Sequence, residues 1–187
     1  MTNYYGTPGS EVIDPQDSSD DYIFADEGND TVYGWYGNDF LVGWGGNDTL
    51  YGEMGNDTLW AGNGDDWLIG GEGNDELAGW NDNDTLFGGN GYDTLYGENG
   101  NDYLDGGGGF NVLNGGSGDD RFVLSTTAFN LVQDFQDGID RISGLSFNSV
   151  SIYQIGSDTF ITDSAKTVSY AVLSNVDAGL ITAADFV

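Results

Sequence analysis

The sequence predicts an all-β fold: a parallel β-roll, a β-solenoid with 18 residues per turn, closed by a small C-terminal β cap. Three observations lead there. An aspartate recurs every ninth residue, a large apolar residue keeps the same step two places later, and glycine fills the space between them. From Ala25 to Val123 this period runs through eleven repeats without a slip. A repeat of this length is the first feature to settle, because it dictates the architecture.

The apolar row is Val32, Leu41, Leu50, Leu59, Leu68, Leu77, Leu86, Leu95, Leu104, Leu113 and Phe122. The acidic row is Asp30, Asp39, Asp48, Asp57, Asp66, Asp75, Asp84, Asp93, Asp102, Asn111 and Asp120. Two places before it stand Gly28, Gly37, Gly46, Gly55, Gly64, Gly73, Asp82, Gly91, Gly100, Gly109 and Gly118. Degenerate copies lie upstream: Asp21 and Ile23 are in register, and Glu11 and Ile13 fit after one inserted residue. Nine residues are too few for a helical hairpin, and glycine has no three-residue period, which excludes collagen. The first six residues of each unit are turn formers that tolerate left-handed backbone. The last three, such as Thr49-Leu50-Tyr51, are strand formers whose alternation turns leucine inward and its neighbours outward. Two repeats make one turn, so residues i and i+18 stack at about 4.8 Å.

Stacking creates two acidic columns. One holds Asp30, Asp48, Asp66, Asp84, Asp102 and Asp120; the other holds Asp21, Asp39, Asp57, Asp75 and Asp93, then Asn111. The chain of 187 residues carries a formal charge of −29, with 32 acidic and 3 basic residues, all three basic ones after position 120. The repeats therefore hold no internal cation, and the counter-charge must come from outside. Hard divalent cations suit an all-oxygen donor set, and calcium, with 6–8 ligands at flexible angles, suits it best. Zinc and copper prefer nitrogen or sulfur, and the chain has no histidine or cysteine. Stacked pairs within the regular array number nine, and nine calcium ions would add eighteen positive charges. The pair Asp21/Asp39 would make a tenth. Asn111 weakens the site it shares with Asp93.

The unit G-G-x-G-x-D-x-U-x, with U large and apolar, resembles the RTX family of hemolysin-type calcium-binding repeats. Residues 88–96, GGNGYDTLY, and 70–78, GGEGNDELA, match it closely. The resemblance implies calcium held between successive turns by the repeat aspartates and by backbone carbonyls of the glycine-rich turn. Those carbonyls are assigned to the fourth-position row from Gly28 to Gly118, in which Asp82 replaces glycine. It also implies a bacterial protein exported by a type I secretion system, without a cleaved N-terminal peptide. Trp35, Trp44 and Trp80 depart from the motif at its second position, and Ala25 and Ala61 at its first.

Residues 1–24 read as an N-terminal segment with degenerate repeats, 25–123 as the roll, and 124–187 as a capping and secretion-signal-like region. The stretch NLVQDFQDGIDRISG resembles the segment C-terminal to the repeats in this family. There Asp134, Asp137 and Asp140 form either one further calcium site or a polar turn. Strand-like runs come next at 150–155, 159–162 and 168–173. The terminal Ala184-Asp185-Phe186-Val187 is similar to C-terminal secretion signals.

Function classes narrow accordingly. Nucleic acid and anionic membranes are poor partners for this charge, and no apolar run approaches a membrane span. Lacking His and Cys, and with its repeat carboxylates committed to metal, the chain is expected not to be an enzyme. The expected role is structural, at a surface or in an extracellular matrix. The alternative is a calcium-dependent carbohydrate-binding module attached to a polysaccharide-active enzyme. Outward aromatic residues, among them Trp44, Trp60, Trp67 and Trp80, either reflect strand propensity or form a binding face for polysaccharide, a cell surface or another copy.

Overall fold

A computed structural model describes residues 2–16, 18–136, 138–166 and 168–187. The leucines decide its architecture. Each is fully buried at the middle of a short strand, and consecutive leucines point into the same interior from opposite walls. In one wall Leu41, Leu59, Leu77, Leu95 and Leu113 pair in parallel register. In the other, Val32, Leu50, Leu68, Leu86, Leu104 and Phe122 do the same. The offset is 18 residues throughout, as the alternation of repeats demands. Parallel pairing also reaches back to Thr2–Tyr5, which runs beside Asp21–Phe24.

The strands are longer than the three strand-forming residues of each unit. Thr58–Asn63 and Glu76–Asn81, for example, are paired along six-residue spans. The backbone bends within each of them. All eleven second positions have positive φ, from 71° at Trp35 to 121° at Gly62, as do all eleven fourth positions. One left-handed residue turns the corner, two residues pair again, and the next left-handed residue leads to the aspartate. Glycine adopts these angles freely, whereas a bulky residue is strained by them.

Offsets of 19 and 20 residues appear only at the ends. Thr2 pairs with Asp21 and Val12 with Thr31, one residue out of period. Asn111 pairs with Asn130, and Arg121 with Arg141. Beyond these, Val150–Ile155, Asp158–Asp163 and Ser169–Leu173 form an antiparallel meander. Its last strand returns to lie parallel to Ala128–Val132. Ile161, Ala171, Leu173, Val176 and Ile181 extend the apolar core over the end of the roll. The C-terminal residues are tied down here. Thr182 and Asp185 form a reciprocal cap of a short 3₁₀ turn, and the Val187 N–H donates to the Ile142 carbonyl at 2.9 Å. Among the described residues no helix is long and apolar enough to cross a membrane.

Candidate metal columns

The corner of each unit aims its aspartate along the roll. The backbone N–H of each column aspartate donates to Oδ1 of the residue one turn on. The distance is 2.7 Å from Asp21 to Asp39, 2.6 Å from Asp48 to Asp66, and 3.0 Å from Asp102 to Asp120. Both columns keep this arrangement from end to end. Every carboxylate is thus oriented by a backbone donor of the preceding turn, and all these side chains are buried.

The second oxygen is treated differently. At Asp21, Asp30, Asp48, Asp57, Asp66, Asp75, Asp84, Asp93, Asp102 and Asp120, Oδ2 is buried and has no hydrogen-bond partner. A buried polar atom without a partner costs about 1–3 kcal/mol, and more when charged. The same omission repeated so many times marks a site built for a ligand.

Burial sets the protonation of these groups. It pushes Asp48, Asp75, Asp93 and Asp102 up to about 6. Asp57, Asp66 and Asp120 rise to about 7 and Asp84 to about 8. Asp30 is raised for the same reason. The backbone N–H opposes the shift at each position, and neighbouring carboxylates add to it at Asp84, where Asp66 and Asp102 lie above and below. The columns therefore resist ionisation unless positive charge enters them.

Backbone oxygens complete the surroundings. Beside the first-position residues Gly34, Gly43, Gly52, Gly70, Gly88 and Gly97 lie two oxygens: Oδ2 of the unit's own aspartate and a first-position carbonyl one turn on. Those carbonyls belong to Gly52, Ala61, Gly70, Gly88, Gly106 and Gly115. A Cβ on these glycines would come within 2.9 Å of both oxygens. The sequence-based assignment placed the carbonyl donors in the fourth-position row; the carbonyls that adjoin Oδ2 are those of the first-position row. Its signal was nevertheless present, because glycine or alanine recurs there in every unit. The fourth-position carbonyls of Gly28, Gly37, Gly46, Gly55, Gly73, Asp82, Gly91 and Gly100 each lie against the fourth-position glycine one turn on. The remaining fourth-position residues, Gly64, Gly109 and Gly118, share the left-handed backbone.

Among the described residues no three acidic or His/Cys side chains converge. An ion held here would thus find few carboxylates at any point and would draw on carbonyls for the rest. That is an oxygen-rich, carbonyl-containing donor set, which suits calcium and not zinc or copper. The buried Oδ2 atoms and the crowded glycine cradle both fit such an ion.

The columns end in different ways. At Asn111 the oxygen accepts from the Asp93 N–H at 3.1 Å, and Nδ2 donates to Oδ1 of Asn130 at 3.3 Å. A neutral amide pair closes that column. The other ends at Asp140, whose Oδ1 accepts from Asp120 N–H and Oδ2 from Gln136 N–H. Asp134 accepts from the N–H groups of Gly115 and Gly116. Asp137 lies outside the described residues.

A coiled stack of short parallel strands with oriented acidic columns defines a class: calcium-binding β-solenoids built from tandem nonapeptides. The chain belongs to the RTX calcium-binding nonapeptide repeat family. The family model matches residues 17–50, 51–86, 60–95, 81–113 and 96–125. No curated protein sequence matches. Among solved structures, the chain is similar to the AlgE6R3 subunit of the Azotobacter vinelandii mannuronan C5-epimerase. That likeness has 31% identity, covers 62% of this chain and 78% of that one, and has a TM-score of 0.47. It is also similar to the extracellular lipase LipA of Serratia marcescens, at 16% identity and a TM-score of 0.38. That likeness covers 93% of this chain and 40% of the lipase.

Proposed function

We propose that this chain is a secreted calcium-binding scaffold whose roll folds when calcium fills the two acidic columns. The repeated buried Oδ2 atom carries this reading. The ligands would be the aspartates from Asp21 to Asp120, together with carbonyls of the glycine-rich corners. The first-position carbonyls are favoured because they share a cradle with Oδ2. Nine stacked pairs in the regular array give about nine ions. Asp140 terminates a column, and its two oxygens already accept backbone N–H groups.

Export is a consequence of the same linkage. A ligand that binds only the folded state stabilises it in proportion to its concentration. Where calcium is scarce the chain stays unfolded and can thread a type I exporter; outside, calcium folds it and opposes return. The role so supported is that of a structural or surface module and not of a catalyst, since the buried carboxylates are occupied by metal. Calorimetric calcium titration with parallel circular dichroism tests the reading. About nine ions bound together with a gain of strand are expected. One or two ions, or a spectrum that chelator leaves unchanged at pH 8, would overturn it.

A further inference from the structure

One face of the roll carries a groove of about 380 Å³ that the metal columns do not explain. Phe40, Trp44, Trp60, Trp80, Asn63 and Asn81 are among the residues that line it. The tryptophans are 58%, 37% and 46% exposed, so burial does not account for them. Phe40 meets Trp60 edge-on at 4.8 Å, and Trp60 meets Trp80 at 6.4 Å.

Two of these residues are held at a cost. Trp44 and Trp80 occupy second positions at φ 83° and 81°, a region where a bulky side chain is an outlier. Glycine fills the same position at Gly62, Gly71, Gly89, Gly107 and Gly116, and Asp26, Trp35, Glu53 and Glu98 share its left-handed angle. Such strain costs about 1–3 kcal/mol, and of the non-glycine residues in this row only Trp44 and Trp80 line the groove. Trp44, Gly62 and Trp80 are stacked in register. The two indoles therefore stand two strand spacings apart, roughly 10 Å, with a glycine gap between them.

The polar side chains of the lining are uncharged. Asn81 Nδ2 donates to Asn63 Oδ1 at 2.9 Å, and Asn99 Nδ2 to Asn81 Oδ1 at 3.1 Å. Each amide keeps spare donor and acceptor capacity. Among the described residues no ionisable side chain lines the groove, although the chain as a whole carries −29.

We propose that this groove binds an uncharged polysaccharide. The apolar faces of pyranose rings would stack on the indoles, and ring hydroxyls would bond the asparagine row. A repeating ligand suits a wall whose rows repeat at each turn. Charge decides against two competitors: an acidic glycan meets an acidic protein, and a second copy of the chain brings the same negative charge. The groove exists only on the calcium-folded roll, so the proposal rests on that reading. Circular dichroism in calcium reports the roll separately from binding, so failure of one is distinguishable from failure of the other.

The test is native affinity electrophoresis of the calcium-saturated chain in gels containing hydroxyethyl cellulose, galactomannan, soluble starch or alginate. Retardation by at least one neutral polymer and none by alginate is expected. The double variant Trp44→Gly/Trp80→Gly puts glycine where neighbouring units already have it, so its strand signal should persist while retardation falls at least tenfold. Trp60→Val places at this position the side chain that Val42 already supplies in the same row. It should weaken binding without altering the corner. Four results would overturn the proposal: no retardation by any neutral polymer, retardation by alginate alone, undiminished binding by the variants, or tryptophan-dependent self-association without glycan binding.

Discussion

Removing calcium should make the fold depend on pH in an unusual direction. Burial raises the folded-state values of the column aspartates, from about 6 at Asp48 to about 8 at Asp84, against 3.8 for an unperturbed carboxyl. An acid raised in this way leaves the metal-free fold unpenalised below 3.8, and the penalty grows as pH rises through the folded value. Asp66 and Asp84 are 0% and 1% exposed, so solvent relieves little of it. Between pH 5 and pH 8 the metal-free roll loses about 3 kcal/mol at Asp66 and about 4 kcal/mol at Asp84. Either loss is a large share of the stability of an ordinary domain. The assay is far-ultraviolet circular dichroism in excess chelator at pH 5 and pH 8, with sedimentation to monitor aggregation near the isoelectric point of about 4.1. Strand at pH 5 and coil at pH 8 are expected. In calcium the fold should survive at pH 8, and the midpoint calcium concentration should climb as pH falls and protons compete. Equal strand content of the chelated chain at both pH values, or more at pH 8, would refute the reasoning.

Other perturbations act through single contacts. Leu68→Ala empties a fully buried site between Leu50 and Leu86 and should cost about 2–5 kcal/mol, read as a lower melting temperature in saturating calcium. Asn111→Asp replaces the amide that donates to Asn130 with a carboxylate. It should destabilise the chelated fold as pH rises and tighten calcium binding at the Asp93 pair already counted among the nine; unchanged affinity would show that this column end binds no ion. Asp185→Ala removes the acceptor of the Thr182 N–H, 2.7 Å away. It should cost about 1 kcal/mol and speed amide exchange at Val187 before the roll itself is affected.

The repeat was legible because its chemistry is periodic at the level of single residues. Leu50, Leu59 and Leu68 face inward since strand alternation allows nothing else, and two units per turn produce the walls. The acidic columns arise equally, because residues 18 apart must stack. The ends were not legible. Whether Asn130 or Asp140 answers Asn111 or Asp120 depends on returns of 19 and 20 residues, and these break the period that made the rest readable. The same holds for the carbonyl row: a nonapeptide shows glycine at the first and fourth positions alike, and only the corner geometry shows which one adjoins Oδ2.

By itself, then, the sequence determined the period, the parallel register, the buried leucine rows and the need for outside positive charge. Each of these is local, or repeats a local choice. The tertiary structure alone decided that backbone N–H groups take Oδ1 and leave Oδ2 unanswered, because that division depends on how one turn is seated on the next. It also gathered Phe40, Trp44, Trp60 and Trp80 into one groove. Those residues lie in different repeats and at three different positions within them, and only the coiling of the chain brings their rings to one face.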